Sequence, residues 1–308
     1  MKRVIVTGAT GAIGTALVKW LVDRKIEILV LTRENSRRNQ NIPVHPLVHI
    51  KFCSLEQLEA IENDTGKTYD VFYHLAWMGA AGPQRHDMYI QNQNVRYALD
   101  AVRAAKKFGC HTFIGAGSQA EYGNTEAPLK WDTPVFPSMG YGYAKLCAGQ
   151  MTRDYAAQLD LRHIWVRILS VYGPNDGAQS VVMYTIGQLR QGLTPQLTKG
   201  EQIWDYLYSD DAAKALYLLG EKGTDRKIYV LGSGTAKPLK EYIQIIRDIA
   251  SPGTNICFGT IPYVKNQTMY LCADTSDLER DTGWYAETDF SEGIKNILLD
   301  SGGRKWSV

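Results

Sequence analysis

A glycine-rich loop near the first residue constrains the fold of this chain more than any other sequence feature. The run Gly8-Ala9-Thr10-Gly11-Ala12-Ile13-Gly14 follows a short apolar segment at residues 4–6 and leads into a segment with helical periodicity at residues 13–22. A second apolar segment follows at residues 28–31. A strand, a tight glycine turn, a helix and a second strand in this order predict a βαβ unit with parallel strands.

The same alternation continues along the chain. Strands are predicted at residues 50–52, 71–75, 112–114, 163–168 and 228–231, and helices at 55–61, 84–108, 181–190, 210–219 and 239–249. Strands that alternate with helices predict an α/β fold, a doubly wound parallel sheet of the Rossmann type.

The glycine loop also predicts a ligand. Its glycines let the backbone turn tightly and approach a pyrophosphate, while the N-terminus of the following helix supplies amides and a dipole to the anion. This position between the first strand and the first helix favours dinucleotide binding over glycines that serve only a tight turn. Cofactor contacts are expected from Gly8, Thr10, Gly11, Ala12, Ile13 and Gly14.

The residues after the second strand bear on the choice of cofactor. An acidic residue there would accept a hydrogen bond from the ribose 2′-hydroxyl of NAD, but the chain reads Leu31-Thr32-Arg33-Glu34. Arg33, with two more arginines nearby, suits the 2′-phosphate of NADP(H), which we expect to be preferred. NAD(H) stays possible through Glu34. Ser54 and Leu55 follow the third strand and are expected beside the adenine.

Two lobes are predicted. Residues 1–171 would form the dinucleotide-binding domain, to which residues 205–233 return. The pattern loosens at Gly173-Pro174-Asn175-Asp176-Gly177. Residues 172–204 and 234–308 are therefore predicted to form a smaller C-terminal lobe that binds the substrate.

Composition excludes several classes of protein. A formal net charge of +2 over 308 residues is too small to predict a nucleic-acid partner. The five cysteines lack the spacing of a zinc site or a disulfide framework, so no metal is predicted. No apolar stretch has the length of a signal region or a membrane span. We expect a cytoplasmic protein without a membrane partner.

A tyrosine and a lysine provide candidate chemistry. Tyr141 and Lys145 stand four residues apart in a predicted helix, so their side chains share one face. The Lys145 ammonium is expected to favour the ionised form of the Tyr141 phenol. Acid/base chemistry of this kind, combined with a hydride carrier in the glycine loop, indicates carbonyl/alcohol redox chemistry.

Ordered motifs along nearly the whole chain resemble one family. The chain is similar to the extended short-chain dehydrogenase/reductases, the group of nucleotide-sugar epimerases, dehydratases and ketoreductases. The matching pieces are the glycine loop, His74-Leu75-Ala76, Asn94-Val95, Ser118-Gln119-Ala120-Glu121-Tyr122-Gly123, Tyr141 to Lys145, Val171-Tyr172-Gly173-Pro174, and Trp204-Asp205-Tyr206 with Asp210-Asp211.

The resemblance implies a catalytic triad of Ser118, Tyr141 and Lys145. Tyr141 would exchange a proton with the substrate oxygen, Ser118 would hydrogen-bond that oxygen, and Lys145 would bind the nicotinamide ribose. His74 is expected to be structural, and the Asp210-Asp211 pair to cap a helix. The remaining cofactor contacts that the resemblance implies come from Leu75, Ala76, Trp77 and Asn94.

Departures from the family pattern narrow the reaction. Dehydratases place an Asp-Glu pair after the triad serine, where this chain has Gln119 and Ala120, so dehydration is not expected. Many epimerases hold the substrate diphosphate with an asparagine and an arginine, where this chain has Ser170 and Trp204. Trp204 would either stack on the substrate or fill the core. Lys199, Lys265 or Arg190 could supply the missing cation.

The segment from Trp77 to Arg85 resembles reductases of nucleotide-linked 4-keto-6-deoxyhexoses. The predicted activity is therefore NADPH-dependent reduction of such a ketone, with a nucleotide-diphosphate sugar as the partner. A nucleotide-sugar epimerase with retained NAD is the enzymatic alternative, and a cofactor-sensing regulatory protein is the alternative without catalysis. Substrate contacts are expected from Trp77, Arg85, Gln119, Ser170 and Trp204.

A homodimer is also implied by the resemblance. In relatives the long helix at residues 84–108 and the helix bearing Tyr141 form a four-helix interface with a second chain. On the long helix, the apolar residues expected to contact the second chain are Val95, Leu99 and Val102.

Overall fold

Two sheets carry the fold in the structure, a computed structural model that describes residues 1–300. The strands are β1 (Arg3–Thr7), β2 (Glu27–Thr32), β3 (Val48–Phe52), β4 (Val71–His74), β5 (Thr112–Ser118), β6 (Arg162–Ile168), β7 (Ser170–Tyr172), β8 (Ile203–Tyr208), β9 (Lys227–Leu231) and β10 (Ala236–Pro238). The helices are α1 (Ala12–Asp23), α2 (Met88–Lys107), α3 (Gly140–Gln158), α4 (Val181–Arg190), α5 (Ser209–Lys222), α6 (Leu239–Ala250), α7 (Ser276–Thr282) and α8 (Phe290–Asp300).

The larger sheet is parallel throughout and confirms the predicted fold class. Its strand order is β3-β2-β1-β4-β5-β6-β9. The chain moves outward from β1 to β3 and then crosses back to β4, so the direction of winding reverses between β1 and β4. Ligands of such sheets bind in the crevice at the carboxyl ends of the strands where this reversal occurs.

Apolar side chains cover both faces of this sheet. Along β1, Val4 and Val6 pack with α1 and α5 on one face, while Ile5 packs with α2 on the other. Successive residues of a strand point to opposite faces, so a strand buried on both faces is a continuous apolar run. This explains why the strands of the chain are short apolar runs rather than alternating ones.

A three-stranded sheet of order β10-β8-β7 forms a separate layer. Helices α4, α6 and α8 pack on it through an aromatic cluster that includes Tyr172, Tyr206, Tyr242 and Phe290. After β8 the chain runs through α5 and returns to the larger sheet as β9. We keep the division into two lobes as a proposal, and residues 301–308 of the predicted smaller lobe lie outside the described residues.

A buried carboxylate connects the returning chain to this second layer. Asp205 on β8 is fully buried and accepts hydrogen bonds from the backbone amides of Ser233, Gly234 and Ala273 at 2.7, 3.1 and 3.0 Å. These three charge-assisted hydrogen bonds fix two segments against β8, the one that follows β9 and the one that precedes α7. Asp205 therefore holds in place the strand that carries its neighbours Trp204 and Tyr206.

Two predicted helices have different bounds in the structure. The helix expected at 84–108 begins at Met88, because Asp87 caps it by accepting from the amides of Tyr89 and Ile90, and residues Gly82–His86 form a separate 3₁₀ turn. The segment expected at 55–61 is a 3₁₀ turn at Leu55–Ala60. Turns of this kind share much of the sequence pattern of an α-helix.

Two of the three residues of α2 that were expected at the dimer interface lie on the buried side of the helix. Val95 and Val102 are buried in the protomer's own core, whereas Leu99 is half-buried beside an open groove between α2 and α3. The two valines therefore cannot be interface residues. Over residues 1–300, no helix is both long and apolar enough to cross a membrane.

Candidate active site

The glycine loop lies at the crevice between β1 and β4. It borders a cavity of about 200 Å³ with Leu75, Ala116 and Ile168. Gly8 has φ of +76°, and a Cβ on Gly14 would lie 2.2 Å from the carbonyl oxygen of Gly8, so neither position accepts a side chain. The first residues of α1, Ala12 and Ile13, line the same cavity and present the helix N-terminus to it.

These residues fit a dinucleotide. The cavity combines close backbone approach, the N-terminus of a twelve-residue helix and an apolar floor. Thr10 is not among the lining residues, but its carbonyl accepts a hydrogen bond from the side-chain amide of Asn41 at 3.1 Å. The glycine loop is therefore shaped before any ligand binds.

The arginines after β2 occupy different places. Asn39 shapes this loop by accepting from Thr32 Oγ1 at 2.8 Å and donating to the Arg33 carbonyl at 2.8 Å. The exposed Arg33 side chain lies close enough to Glu56 to lower the pKa of that carboxyl, although the hydrogen bond from Ser54 is the larger cause. Arg38 instead reaches the glycine loop. Its Nη2 lies 3.9 Å from the position of a Cβ on Gly11.

Ser54 and Leu55 are largely engaged within the protein. Ser54 begins the 3₁₀ turn after β3 as part of a capping box with Gln57, and the Ser54 amide donates to Gln57 Oε1 at 2.8 Å. Leu55 packs against the core on the α2 face of the sheet. Both lie at the carboxyl end of β3, where the adenine was expected.

The end of β4 is held by a chain of hydrogen bonds. His74 is buried, and its Nδ1 lies 3.0 Å from Thr7 Oγ1, which in turn accepts from the Ala76 amide at 3.3 Å. Burial lowers the pKa of His74 to about 3, so it stays neutral at physiological pH. This agrees with a structural role for His74. Leu75 borders the glycine-loop cavity.

The loop after β4 is tied to α2 by two buried amides. Asn94 accepts from the Met78 amide and donates to the Met78 carbonyl, each at 2.9 Å. Gln91 accepts from Trp77 Nε1 at 2.8 Å and donates to the carbonyls of Gly79 and Gln84. Asn94 is thus fully used in holding this loop, and Trp77 has a fixed orientation beside Tyr141.

Ser118 ends β5 and has a fixed surrounding. Its hydroxyl donates to Gln119 Oε1 at 2.7 Å and accepts from the Ala120 amide at 3.2 Å. The Ser118 amide donates to Glu121 Oε1 at 2.9 Å. The Ser-x-x-Glu spacing of a capping box was visible in the sequence, and it would have identified Glu121 as a residue that positions Ser118.

Tyr141 and Lys145 stand in the first turns of α3. The Lys145 ammonium donates to the Ala116 carbonyl at 2.5 Å and lies 3.7 Å above the centre of the Trp77 ring. It lies 5.7 Å from the centre of the Tyr141 ring. The Arg85 guanidinium is closer, 4.5 Å from that centre.

The effect of Lys145 on the ionisation of Tyr141 stays a prediction, and other groups act on this phenol as well. Burial raises the pKa of Tyr141, and this outweighs the opposing effects of a hydrogen bond with Ser118 and of the Arg85 charge. Arg85 is thus a second cation at this phenol, one that the sequence prediction did not include. An i, i+4 spacing places two side chains on one face, but their distance also depends on what each side chain binds.

A second cavity lies on the side of the three-stranded sheet. It has a volume of about 320 Å³ and is bordered by Ser170, Asp176, Trp204 and the first residues of α4, Val181 and Val182. Trp204 Nε1 donates to Ser170 Oγ at 2.8 Å, so the two residues that replace the diphosphate clamp bind each other.

The charges of this cavity differ from the expectation. Lys199, Lys265 and Arg190, all within the described residues, are not among its lining side chains. Asp176 does line the cavity, and burial raises the pKa of its carboxyl. Across residues 1–300, no group of histidine, cysteine and acidic side chains has the arrangement of a metal site.

The buried Lys145 gives a pH-dependent prediction for stability. Burial lowers the pKa of Lys145 from 10.5 to about 7, so the unfolded chain binds more protons than the folded one between these values. Stability therefore rises with pH across this window. Without added cofactor, we expect Lys145→Met to unfold with a higher free energy than wild type at pH 7, by on the order of 4 kcal/mol.

Urea unfolding of both proteins at pH 7 and pH 10 tests this prediction. The advantage of Lys145→Met should shrink by about 3 kcal/mol at pH 10. The folded lysine is neutral there, and pH 10 lies close to the pKa of 10.5 of the unfolded lysine, so little free energy is needed to deprotonate it on folding. A difference that stays constant between the two pH values would show that Lys145 is charged in the folded protein.

Comparison with known proteins places this geometry in a family. Residues 4–232 match the model of the NAD dependent epimerase/dehydratase family. CDP-abequose synthase of Salmonella typhimurium is 25% identical, and the match covers 96% of this chain and 97% of that protein. The dTDP-4-dehydro-6-deoxyglucose reductase of Escherichia coli is 26% identical, with 96% of each chain covered.

A solved structure has the same fold. UDP-glucose 4-epimerase of Thermotoga maritima, determined with UDP-glucose, superposes with a TM-score of 0.86 at 21% identity, covering 96% of this chain and 97% of that one. With the family match over most of the chain, the glycine loop, the Ser118 site and the parallel sheet have one common explanation. The chain belongs to the NAD-dependent epimerase/dehydratase family, the extended short-chain dehydrogenases that modify nucleotide sugars.

Proposed function

We propose that this enzyme uses NADPH to reduce the C4 ketone of a nucleotide-linked 4-keto-6-deoxysugar. The observation that carries the proposal is the position of Ser118, Tyr141 and Lys145 at the carboxyl end of β5 and the start of α3, beside the glycine-loop cavity. A proton donor and a hydrogen-bond donor would meet a bound hydride carrier there. These are the parts that reduction of a ketone requires.

The protein's own residues handle the proton. A bound nicotinamide nucleotide supplies the hydride that forms the new C–H bond. Ser118 would turn its hydroxyl proton from Gln119 Oε1 to the ketone oxygen, and Tyr141 would give its own proton to that oxygen as the alcohol forms. Lys145, close to the carbonyl of Ala116 at the cavity wall, would bind the nicotinamide ribose. Tyr141 is then reprotonated from solvent.

Dehydration is not supported by this site. Elimination of water requires an acid and a base next to the triad serine, and the side chains there are an amide, Gln119, and a methyl group, Ala120. Gln119 accepts from the Ser118 hydroxyl instead. The site is therefore suited to a single transfer of hydride and proton.

The second cavity would hold the nucleotide part of the substrate. Its lining side chains offer no cation within the described residues, but Ser180, Val181 and Val182 present the N-terminus of the ten-residue helix α4 to it. Backbone amides and the helix dipole bind phosphate groups in the absence of basic side chains. Trp204, half-exposed on the opposite wall, would stack on the base or the sugar.

An epimerase is the second candidate. It would use the same Tyr141 and Ser118 to oxidise and then reduce one carbon with retained NAD. A UDP-glucose 4-epimerase of Azospirillum brasilense is 25% identical over 96% of this chain, similar to the synthase and the reductase above. A cofactor sensor without catalysis is set aside, because the chain belongs to a family of enzymes.

Consumption of NADPH distinguishes the two reactions. We expect the protein to oxidise NADPH in a one-to-one ratio with one member of a panel of nucleotide-linked 4-ketosugars. Tyr141→Phe should lower turnover by roughly 10²-fold or more, since it removes the proton donor. The control is Tyr143→Phe, since Tyr143 lies two residues away and is exposed on another face of α3.

Two outcomes would contradict the reductase. Interconversion of a nucleotide sugar without net oxidation of cofactor would establish the epimerase. Wild-type turnover by Tyr141→Phe would remove this residue from the mechanism.

Cofactor preference gives a separate prediction. NADPH should bind more tightly than NADH, because a charge-assisted hydrogen bond to a 2′-phosphate contributes roughly 1.5–3 kcal/mol, about a factor of ten or more in affinity. Arg33→Ala should remove most of this preference. Arg38→Ala should weaken both nucleotides, because its guanidinium lies over Gly11 in the glycine loop rather than beside the adenine ribose.

Titration of each variant with NADPH and NADH, followed by protein fluorescence, measures these affinities. The exposed Arg37→Ala variant serves as a charge-matched control. A tenfold preference for NADH in the wild type would overturn the assignment of NADPH.

We also propose a homodimer in which α2 and α3 contact a second chain. These helices border a wide open groove whose walls include Leu99, Met151 and Tyr155. Paired charges flank it, with Arg96 beside Glu59 and Asp100. Light scattering should give a mass of twice 34.5 kDa, whereas a concentration-independent mass of 34.5 kDa would contradict the proposal.

A further inference from the structure

We infer that Arg85 assists catalysis as a cation over the Tyr141 ring that stabilises the phenolate form of that residue. The inference deepens the proposed function, on which it rests for the identity of the reaction. The effect on the proton affinity of Tyr141 does not depend on which substrate is bound.

The guanidinium lies over the face of the phenol ring. Its central carbon is 4.5 Å from the ring centre of Tyr141, nearer than the Lys145 ammonium at 5.7 Å. A cation over an aromatic face is attracted by the electron density of the ring. A phenolate carries a full negative charge, so the attraction increases when Tyr141 loses its proton.

The loop around Arg85 holds it in this place. Arg85 belongs to the 3₁₀ turn Gly82–His86, whose neighbouring carbonyl at Gln84 is bound by the buried amide of Gln91. A Cβ on Gly140 would lie 3.3 Å from the Arg85 carbonyl oxygen, so the first turn of α3 packs directly on this turn. The cation and the phenol therefore come from two segments in tight contact.

The half-buried Arg85 side chain has few polar partners of its own. Within residues 1–300, its Nε is buried without a hydrogen-bond partner. A buried donor without a partner is unfavourable to folding. The guanidinium is therefore held over the Tyr141 ring at a cost to stability, as expected of a group kept for its charge.

Of the groups around Tyr141, Arg85 is the one that keeps a positive charge at all working pH values. Ser118 hydrogen-bonds the phenol, the Glu121 carboxylate from the turn after β5 opposes its ionisation, and Trp77 meets the ring edge-on. Lys145 has a pKa of about 7 and loses its charge near neutrality, whereas a guanidinium stays charged. Arg85 thus acts on Tyr141 across the working range of pH.

In the proposed step, a bound reduced nicotinamide would supply the hydride of the new C–H bond and be oxidised. The O–H bond of Tyr141 would break, and its proton would form the O–H bond of the product. The negative charge that the ketone oxygen would have carried then lies on the Tyr141 phenolate. Arg85 stabilises that charge until solvent returns the proton.

The test measures ionisation of Tyr141 directly. Near-ultraviolet absorbance of tyrosinate is followed against pH for each protein, and the titration of the same protein with Tyr141→Phe is subtracted. We expect Arg85→Gln and Arg85→Met to increase the proton affinity of Tyr141 about tenfold or more, one pH unit or more, while Arg85→Lys retains most of the effect. The matched control is Arg24→Gln, because Arg24 also lies over an aromatic ring, that of Trp20, but far along α1.

Kinetics supply the second measurement. With an accepted ketosugar, Arg85→Gln should lower kcat about tenfold or more and move the Tyr141-dependent limb of its pH profile by the same shift as the absorbance titration. Equal titration of Tyr141 in wild type, Arg85→Gln and Arg85→Met would overturn the inference. An altered titration with no turnover of any ketosugar would overturn the proposed function alone.

Discussion

The buried carboxylate of Glu121 connects the centre of the sheet to the reacting groups. It accepts from the Ser118 amide at 2.9 Å, from Trp165 Nε1 at 3.0 Å and from Arg167 Nε at 2.8 Å. Glu121 and Arg167 are almost wholly inaccessible, so loss of either partner would leave an uncompensated buried charge. The position of Ser118 therefore depends on an ion pair with β6. Trp165, the third partner, fills the space left by Gly115.

Positive charge is distributed unevenly between the two ends of the substrate cleft. Arg85 and Lys145 lie beside Tyr141, whereas the cavity next to Trp204 is bordered by Asp176 and by backbone amides of α4. Charges in a buried site act more strongly than charges on the surface, because solvent screens them less. The basic side chains are thus concentrated at Tyr141, where charge would change in the proposed reaction. Binding of the nucleotide part would depend mainly on helix amides and aromatic contact.

The sequence predicted the fold class and located the candidate residues, but not their electrostatic relations. Apolar runs and glycine spacing are local signals, and they were sufficient for the parallel sheet and the cofactor crevice. The spacing of Tyr141 and Lys145 was also local, yet Lys145 binds a strand carbonyl and Trp77, so Arg85 is the nearer cation. Likewise, Arg33 and Arg38 carry the same charge, so the sequence does not show which of them faces the glycine loop. Their positions differ because the hydrogen bonds of Asn39 fix the shape of the loop between them.

The loop after β7 joins the two cavities physically. Arg38, from the cofactor side, donates to the Asn175 carbonyl at 2.6 Å, and the next residue, Asp176, borders both the glycine-loop cavity and the cavity beside Trp204. Burial raises the pKa of the Asp176 carboxyl, and hydrogen bonds with Ser180 and the Gly177 amide, together with the smaller effect of the Arg38 charge, oppose this rise. The side chain that separates the two cavities is therefore fixed by neighbours from both sides, because Ser180 precedes α4 and Arg38 comes from the loop after β2.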